Sequence, residues 1–103
     1  MTMTDHTFES ACREHLDHFF TAHPDPVLQQ RAMKALRLLR TSDQPLTGKT
    51  KGWAAGIVYV AATDGRITCG VPGVLNSEFE QIMGVTMSTV RKRAARVKEL
   101  VVF

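Results

Sequence analysis

The sequence predicts a single all-helical domain of five helices, and three features predict it. Apolar residues recur at helical spacing in four separate segments. The fifth segment, GWAAGIVYVAA, is apolar on every side, as a helix in the middle of a bundle must be. No alternating segment is present to pair with it as a strand. At 103 residues the chain fits one domain, taken as 1–103, and that length is enough to bury a core. With 44% hydrophobic and 22% charged residues the composition is that of a globular protein, and nothing approaches the roughly 18 consecutive apolar residues of a membrane span. The start, MTMTDHTFES, has neither the basic opening nor the apolar core of a signal, and Cys12 and Cys69 make no repeated framework. A soluble protein of the reducing cytoplasm is expected, with no membrane partner.

At about 100° per residue, Cys12, His15, Leu16 and Phe19 fall within about 80° of Phe8, and Asp17 lies opposite, which predicts a first amphipathic helix over 5–22. HPDP stops that helix and starts another: Pro24 and Pro26 cannot continue the first, while Asp25 can cap a second with Pro26 at its first position. The second helix is expected over 26–40, with Leu28, Ala32, Ala35, Leu36 and Leu39 inward and Gln30, Lys34, Arg37 and Arg40 outward. TSDQPLTGKTKG is a polar, turn-rich loop. The apolar segment is read as a helix over 50–63, whose Ala54, Ala55, Gly56, Ala61 and Ala62 let neighbouring helices approach closely. DGRITCGVPG follows as a loop.

In the last quarter, Asn76 or Ser77 can cap a short helix, and Ser77 with Glu80 has the form of a capping box. Gly84 ends that helix. Thr86 can cap a last one, with Val90, Ala94, Val97 and Val101 inward, Lys92, Ala95, Arg96 and Glu99 outward, and Arg91 and Lys98 on the flank. A short helix, a turn containing glycine and a longer basic helix make the helix-turn-helix pattern over 75–101. Phe79, Met83, Val85 and Val90 occupy the positions that lock such a pair. Glu80 stands where a small residue is usual and Arg93 where an apolar one is usual, and both depart from the pattern.

Charge is segregated beneath a formal net of +3. The first 25 residues carry Asp5, Glu9, Glu14, Asp17 and Asp25 against Arg13, whereas Arg31, Lys34, Arg37, Arg40, Lys49 and Lys51 then face only Asp43. Between 64 and 85, Asp64, Glu78 and Glu80 outnumber Arg66; afterwards Arg91, Lys92, Arg93, Arg96 and Lys98 meet only Glu99. Two basic blocks that fold together would form the electrostatic footprint of a nucleic-acid binder, and the plainer alternative is a solvated helix surface.

Two stretches resemble a known family. GVTMSTVRKRAARVKEL resembles the last helical hairpin of the cyclin-like repeats of transcription factor IIB through Gly84, Val85, Thr86, Thr89, Val90, Arg91 and Arg93. AAGIVYVAA is similar to the central helix of those repeats through Ala54, Ala55, Val58, Tyr59, Val60 and Ala61. The W-A-A-G-I-V-Y run also resembles a small bacterial domain family of uncharacterised role. The resemblance spans 53–100 and implies five helices around a central third, a cyclin-like bundle, together with a DNA-facing hairpin. Transcription factor IIB has two such repeats and this chain one, and Ala94 replaces the usual Tyr, so the general-factor role is not carried over.

Other chemistry is poorly served. Cys12, His15 and His18 share one side of a helix, with His6 and His23 near its ends, but a structural zinc needs four ligands and a partly buried, hydrogen-bonded core histidine explains His15. GKT at 48–50 has the look of a phosphate-loop ending, yet the earlier glycine would fall at Asp43 and no strand precedes it. No nucleophile, base and orienting acid recur at readable spacing, so no enzyme, cofactor or metal is expected. The expected function is binding of double-stranded DNA by a transcription-related regulator, with a cyclin-like protein-interaction module as the alternative. Met87, Ser88, Arg91 and Lys92 are expected at base edges, Arg91 by a bidentate contact to guanine. Thr86, Thr89 and Arg96 are expected at phosphates, joined by Lys49 and Lys51 if their loop folds alongside. A homodimer on a two-fold site is expected of so small a reading head.

Overall fold

The computed structural model describes residues 3–41, 46–63 and 70–101, with side chains from Thr7 onward. Asp43, Asp64, Arg66 and Cys69, and the side chains of Asp5 and His6, on which parts of the charge, loop and metal readings rested, lie outside the described residues. Five helices follow one another: α1 (Met3–Ala22), α2 (Pro26–Arg40), α3 (Thr50–Thr63), α4 (Asn76–Met83) and α5 (Met87–Leu100). Among the described residues there is no strand, and none of the helices is long and apolar enough to cross a membrane.

The corner between α1 and α2 forms as its residues dictate. Asp25 has an extended backbone and its Oδ1 accepts the Leu28 amide at 3.1 Å, while Pro26 begins the helix without an N–H to satisfy. All five residues of the expected α2 stripe are buried. On α1, Cys12, Leu16, Phe19 and Phe20 are buried, but His15 is only half-buried and His18 is exposed. Glu9 ties the two helices from outside, accepting Arg40 at 2.7 Å and Arg13 at 2.9 Å.

α3 touches each of the other four helices and packs most extensively on α5. Ten of its residues are buried, so a segment with no polar face can sit where four apolar surfaces meet. Trp53 is covered, and its indole N–H donates to the Thr47 carbonyl at 2.8 Å, which ties the loop at 46–49 to the start of α3. Arg31 of α2 donates from Nε to the Ala61 carbonyl at 3.1 Å near the other end. Across the bundle Phe19 meets Phe79 of α4 edge-on, with ring centroids 5.5 Å apart. Burying such a side chain contributes about 1.5–3 kcal/mol, and this contact holds the short α4 against α1.

α4 starts differently from the expectation. Neither Asn76 nor Ser77 caps it; Leu75 stands at the cap, and the Glu78 carboxylate accepts the Leu75 N–H at 2.9 Å. The Ser77 and Glu80 capping box therefore does not form. A leucine side chain cannot accept a hydrogen bond, so only the reciprocal half of such a box, the glutamate reaching back, is present.

Candidate nucleic-acid interface

The joint between α4 and α5 is built from three residues, Gly84, Val85 and Thr86. Gly84 has φ +72°, a left-handed backbone that suits glycine, and its N–H returns to the Glu80 carbonyl at 2.9 Å. Thr86 is extended, and its Oγ1 accepts the Thr89 amide at 3.3 Å. The Glu80 carboxylate reaches across the turn and accepts the Met87 N–H at 2.6 Å. A negative charge at the N-terminus of α5 is favoured by the helix dipole and satisfies an amide that has no partner in the helix. The residue that departs from the usual small one thus latches the turn.

Arg93 has a comparable task. A Cβ at Gly56 would lie 2.8 Å from the Arg93 Cβ and 2.9 Å from the Ala94 nitrogen, so the backbones of α3 and α5 approach to a distance that only glycine permits. Four residues earlier, Arg93 Cγ and Nε lie 3.6 Å from the Cβ position of Gly52. The stem of Arg93 therefore runs along the glycine face of α3, and its guanidinium carbon sits 5.0 Å from the centroid of the Trp53 ring. An apolar stem on glycines and a cation over an indole fill the position where a hydrocarbon side chain was expected, the cation–π contact contributing roughly 0.5–2 kcal/mol.

The expected site residues divide into three groups around α5. Lys49, Lys51, Thr86 and Thr89 come together, with Arg93, Gly48, Gly52, Gly84 and Val85, in a groove of about 460 Å³ between the loop at 46–49, the start of α3 and the α4–α5 turn. Ser88 and Lys92 are exposed on the outward crest. Arg91 is exposed on the opposite flank, about 160° round the helix from Thr89, where it lines a second recess of about 210 Å³ with Tyr59, Val60, Thr63, Ala94, Ala95 and Lys98.

Two expectations change. Met87 is buried, at 7% exposure, because the inner stripe of Val90, Ala94 and Val97 continues one turn back into it; it is a core residue and not part of the exposed surface. Arg96 is engaged with Glu99, Nη1 to Oε1 at 2.7 Å, one turn along α5. Arg93 was missed as a groove residue. The Gly52 and Gly56 pair, spaced by four on α3, was the available signal that something long would lie across that face.

Lys49, Lys51, Arg91, Lys92, Arg93 and Lys98 make no ion pair with a carboxylate among the described residues. The basic block of α2 stands apart: Arg40 is paired with Glu9 and Arg31 is bonded to α3, and although Lys34 and Arg37 are exposed without an ion pair among the described residues, α2 is not a principal neighbour of α5. Only the part at 49–51 joins the last helix.

Elsewhere, the Cys12 thiol is buried and donates to the Thr50 carbonyl at 3.7 Å, and burial pushes its pKa up to about 12. A thiol so held is a poor thiolate. Among the described residues no three metal-ligating side chains converge. No protein-family model, curated protein or solved structure matches this chain.

Proposed function

We propose that α4 and α5 act as a helix-turn-helix that binds double-stranded DNA, with α5 entering the major groove by its N-terminal half, on a bundle of cyclin-like arrangement. One observation carries the reading: the exposed leading part of α5 presents Arg91 and Lys92, and Lys49 and Lys51 stand beside the same helix end, none of the four paired with a carboxylate among the described residues. Uncompensated cations on both flanks of one helix suit a duplex, whose two phosphate strands border the groove that the helix would occupy.

In this reading Ser88 and Lys92 on the crest, with Arg91 beside them, reach base edges, and an arginine there can take guanine O6 and N7 together. Thr86, Thr89, Lys49 and Lys51 hold the backbone and fix orientation without reading sequence. Glu80 and Arg93, the two departures from the helix-turn-helix pattern, have tasks inside the fold. A head of this size reads about one half-site, so a two-fold dimer on a palindromic sequence is the expected working form, in a transcription-related role.

The test is a double substitution. Arg91→Ala with Lys92→Ala should weaken duplex binding by about 2 kcal/mol or more, roughly 30-fold, while the melting temperature stays nearly unchanged, because both side chains are exposed. Undiminished binding by the folded variant would refute the reading.

A further inference from the structure

The groove at the α4–α5 turn has properties that reading a duplex does not require. Three cations from three elements converge on it: Lys49 from the loop, Lys51 from the first turn of α3 and Arg93 from α5. No aspartate or glutamate appears among the described residues that line it. The Lys51 ammonium lies 3.5 Å from the Cβ position of Gly84, and the Arg93 guanidinium lies against Gly48, where any side chain would collide with it. Gly48 and Gly84 both have left-handed backbones, φ +97° and +72°, so the rims are bare main chain where side chains would otherwise crowd the cations. Two hydroxyl-bearing residues, Thr86 and Thr89, stand on the remaining side.

Like charges gathered with no counter-charge among the described residues repel one another, and the arrangement is relieved by an anion. Several donors facing one space suit a tetrahedral group with several acceptor oxygens better than a flat carboxylate, and a guanidinium and ammonium groups are the usual partners of phosphate. We infer that this groove is a site for one phosphate group, bound by Lys49, Lys51 and Arg93 with the hydroxyl of Thr89, onto whose Oγ1 the Thr86 hydroxyl donates at 3.3 Å. The inference deepens the DNA reading and rests on it as regards the molecule that carries the phosphate; the chemistry is the same for a backbone phosphodiester and for the phosphate of a small metabolite. Because the Arg93 guanidinium stands over Trp53, the single tryptophan of the chain, occupancy of the groove is felt by an intrinsic fluorophore.

The experiment titrates the full chain with inorganic phosphate, against sodium chloride at matched ionic strength, and separately with random-sequence duplex, reading Trp53 emission and backbone amide shifts. Phosphate should change the emission saturably and shift amides of residues 48–52, 84–89 and 93. Lys49→Ala with Lys51→Ala should weaken that response by about tenfold while helicity is retained. A phosphate response no larger than that of chloride, shifts centred elsewhere in the wild-type protein, or an equal response in the folded variant would overturn the inference. The arms also separate the two readings. Phosphate saturation without duplex binding upholds the groove, assigns it a small phosphorylated ligand and removes the DNA reading; duplex binding that leaves Trp53 and these amides untouched removes the groove and leaves the DNA reading in place.

Discussion

α2 and α5 look alike in sequence, for each is amphipathic, basic on its outer face and packed on α3, and each ties some of its cations to the fold and leaves others exposed. Arg31 and Arg40 of α2 are committed to the fold, one to the Ala61 carbonyl and the other to Glu9, while Lys34 and Arg37 are exposed and make no ion pair among the described residues. Arg91 and Lys92 of α5 are exposed and unpaired with any carboxylate among the described residues. Their seats differ. α2 meets the core through leucines and alanines, whereas α5 settles on the bare backbone at Gly56, with the Arg93 stem closing the seam. Pairing alone therefore does not set α5 apart from α2; its seat on Gly56 and the nearness of Lys49 and Lys51 do.

The seat of α5 is the strongest place to break the comparison. Gly56→Ala puts a carbon 2.9 Å from the Ala94 nitrogen, which is backbone and cannot swing aside, so α5 must shift. Overpacking of this kind costs about 1–3 kcal/mol, to be measured by denaturant unfolding. Gly52→Ala meets its nearest atom, the Thr89 Cγ2, at 3.4 Å, an ordinary contact, and should range from neutral to about 1 kcal/mol stabilising through helix propensity. Equal losses at both glycines would show that the approach of the two helices is not set at Gly56.

On α2, Arg31→Ala removes a donor from the buried Ala61 and should lower stability by about 1–2 kcal/mol without altering duplex affinity, the reverse of the pattern expected for Arg91 and Lys92. An affinity loss with unchanged unfolding would move α2 into the interface.

The smallest effect lies at Glu9. Desolvation pushes its pKa upward, but the hydrogen bonds and charges of Arg40 and Arg13 outweigh this and hold the carboxyl below the ordinary glutamate range. A pKa lowered by folding stabilises the native state at pH values above the unfolded-state pKa, and that contribution is lost as pH falls through the folded-state value. Glu9→Gln should therefore cost less than about 1 kcal/mol near neutrality, since both arginines are about half exposed and screened, and the difference from wild type should fade as the solution is acidified below the glutamate range. A difference that persists in acid would point to packing in place of charge.

Much of the fold was legible because its signals are local. The Asp25 and Pro26 corner, the α2 stripe, the ends of α3 and the Thr86 cap each depend on residues within a turn of one another, and all form as read. Met87 was also legible in principle, lying three residues before Val90 on the same stripe, but it was read by its position at the leading end of the helix and not by its phase. Glu80 and Arg93 could not be understood locally: one acts across the turn on Met87, the other across α3 on Trp53, and neither partner is marked in the sequence. The same holds for the groove, since Lys49 and Thr86 are separated by the whole of α3, a loop and α4 before they line one space.

The dependence of duplex affinity on salt tests the assignment of α5 most directly, because it counts the phosphates that the protein neutralises without requiring the target sequence. With the groove cations on one backbone phosphate and at least one flank cation of α5 on another, log affinity for random duplex should fall against log salt with a slope of about −2. No duplex binding at low salt, or an affinity indifferent to salt, would contradict it and leave the last helix a solvated or protein-binding face.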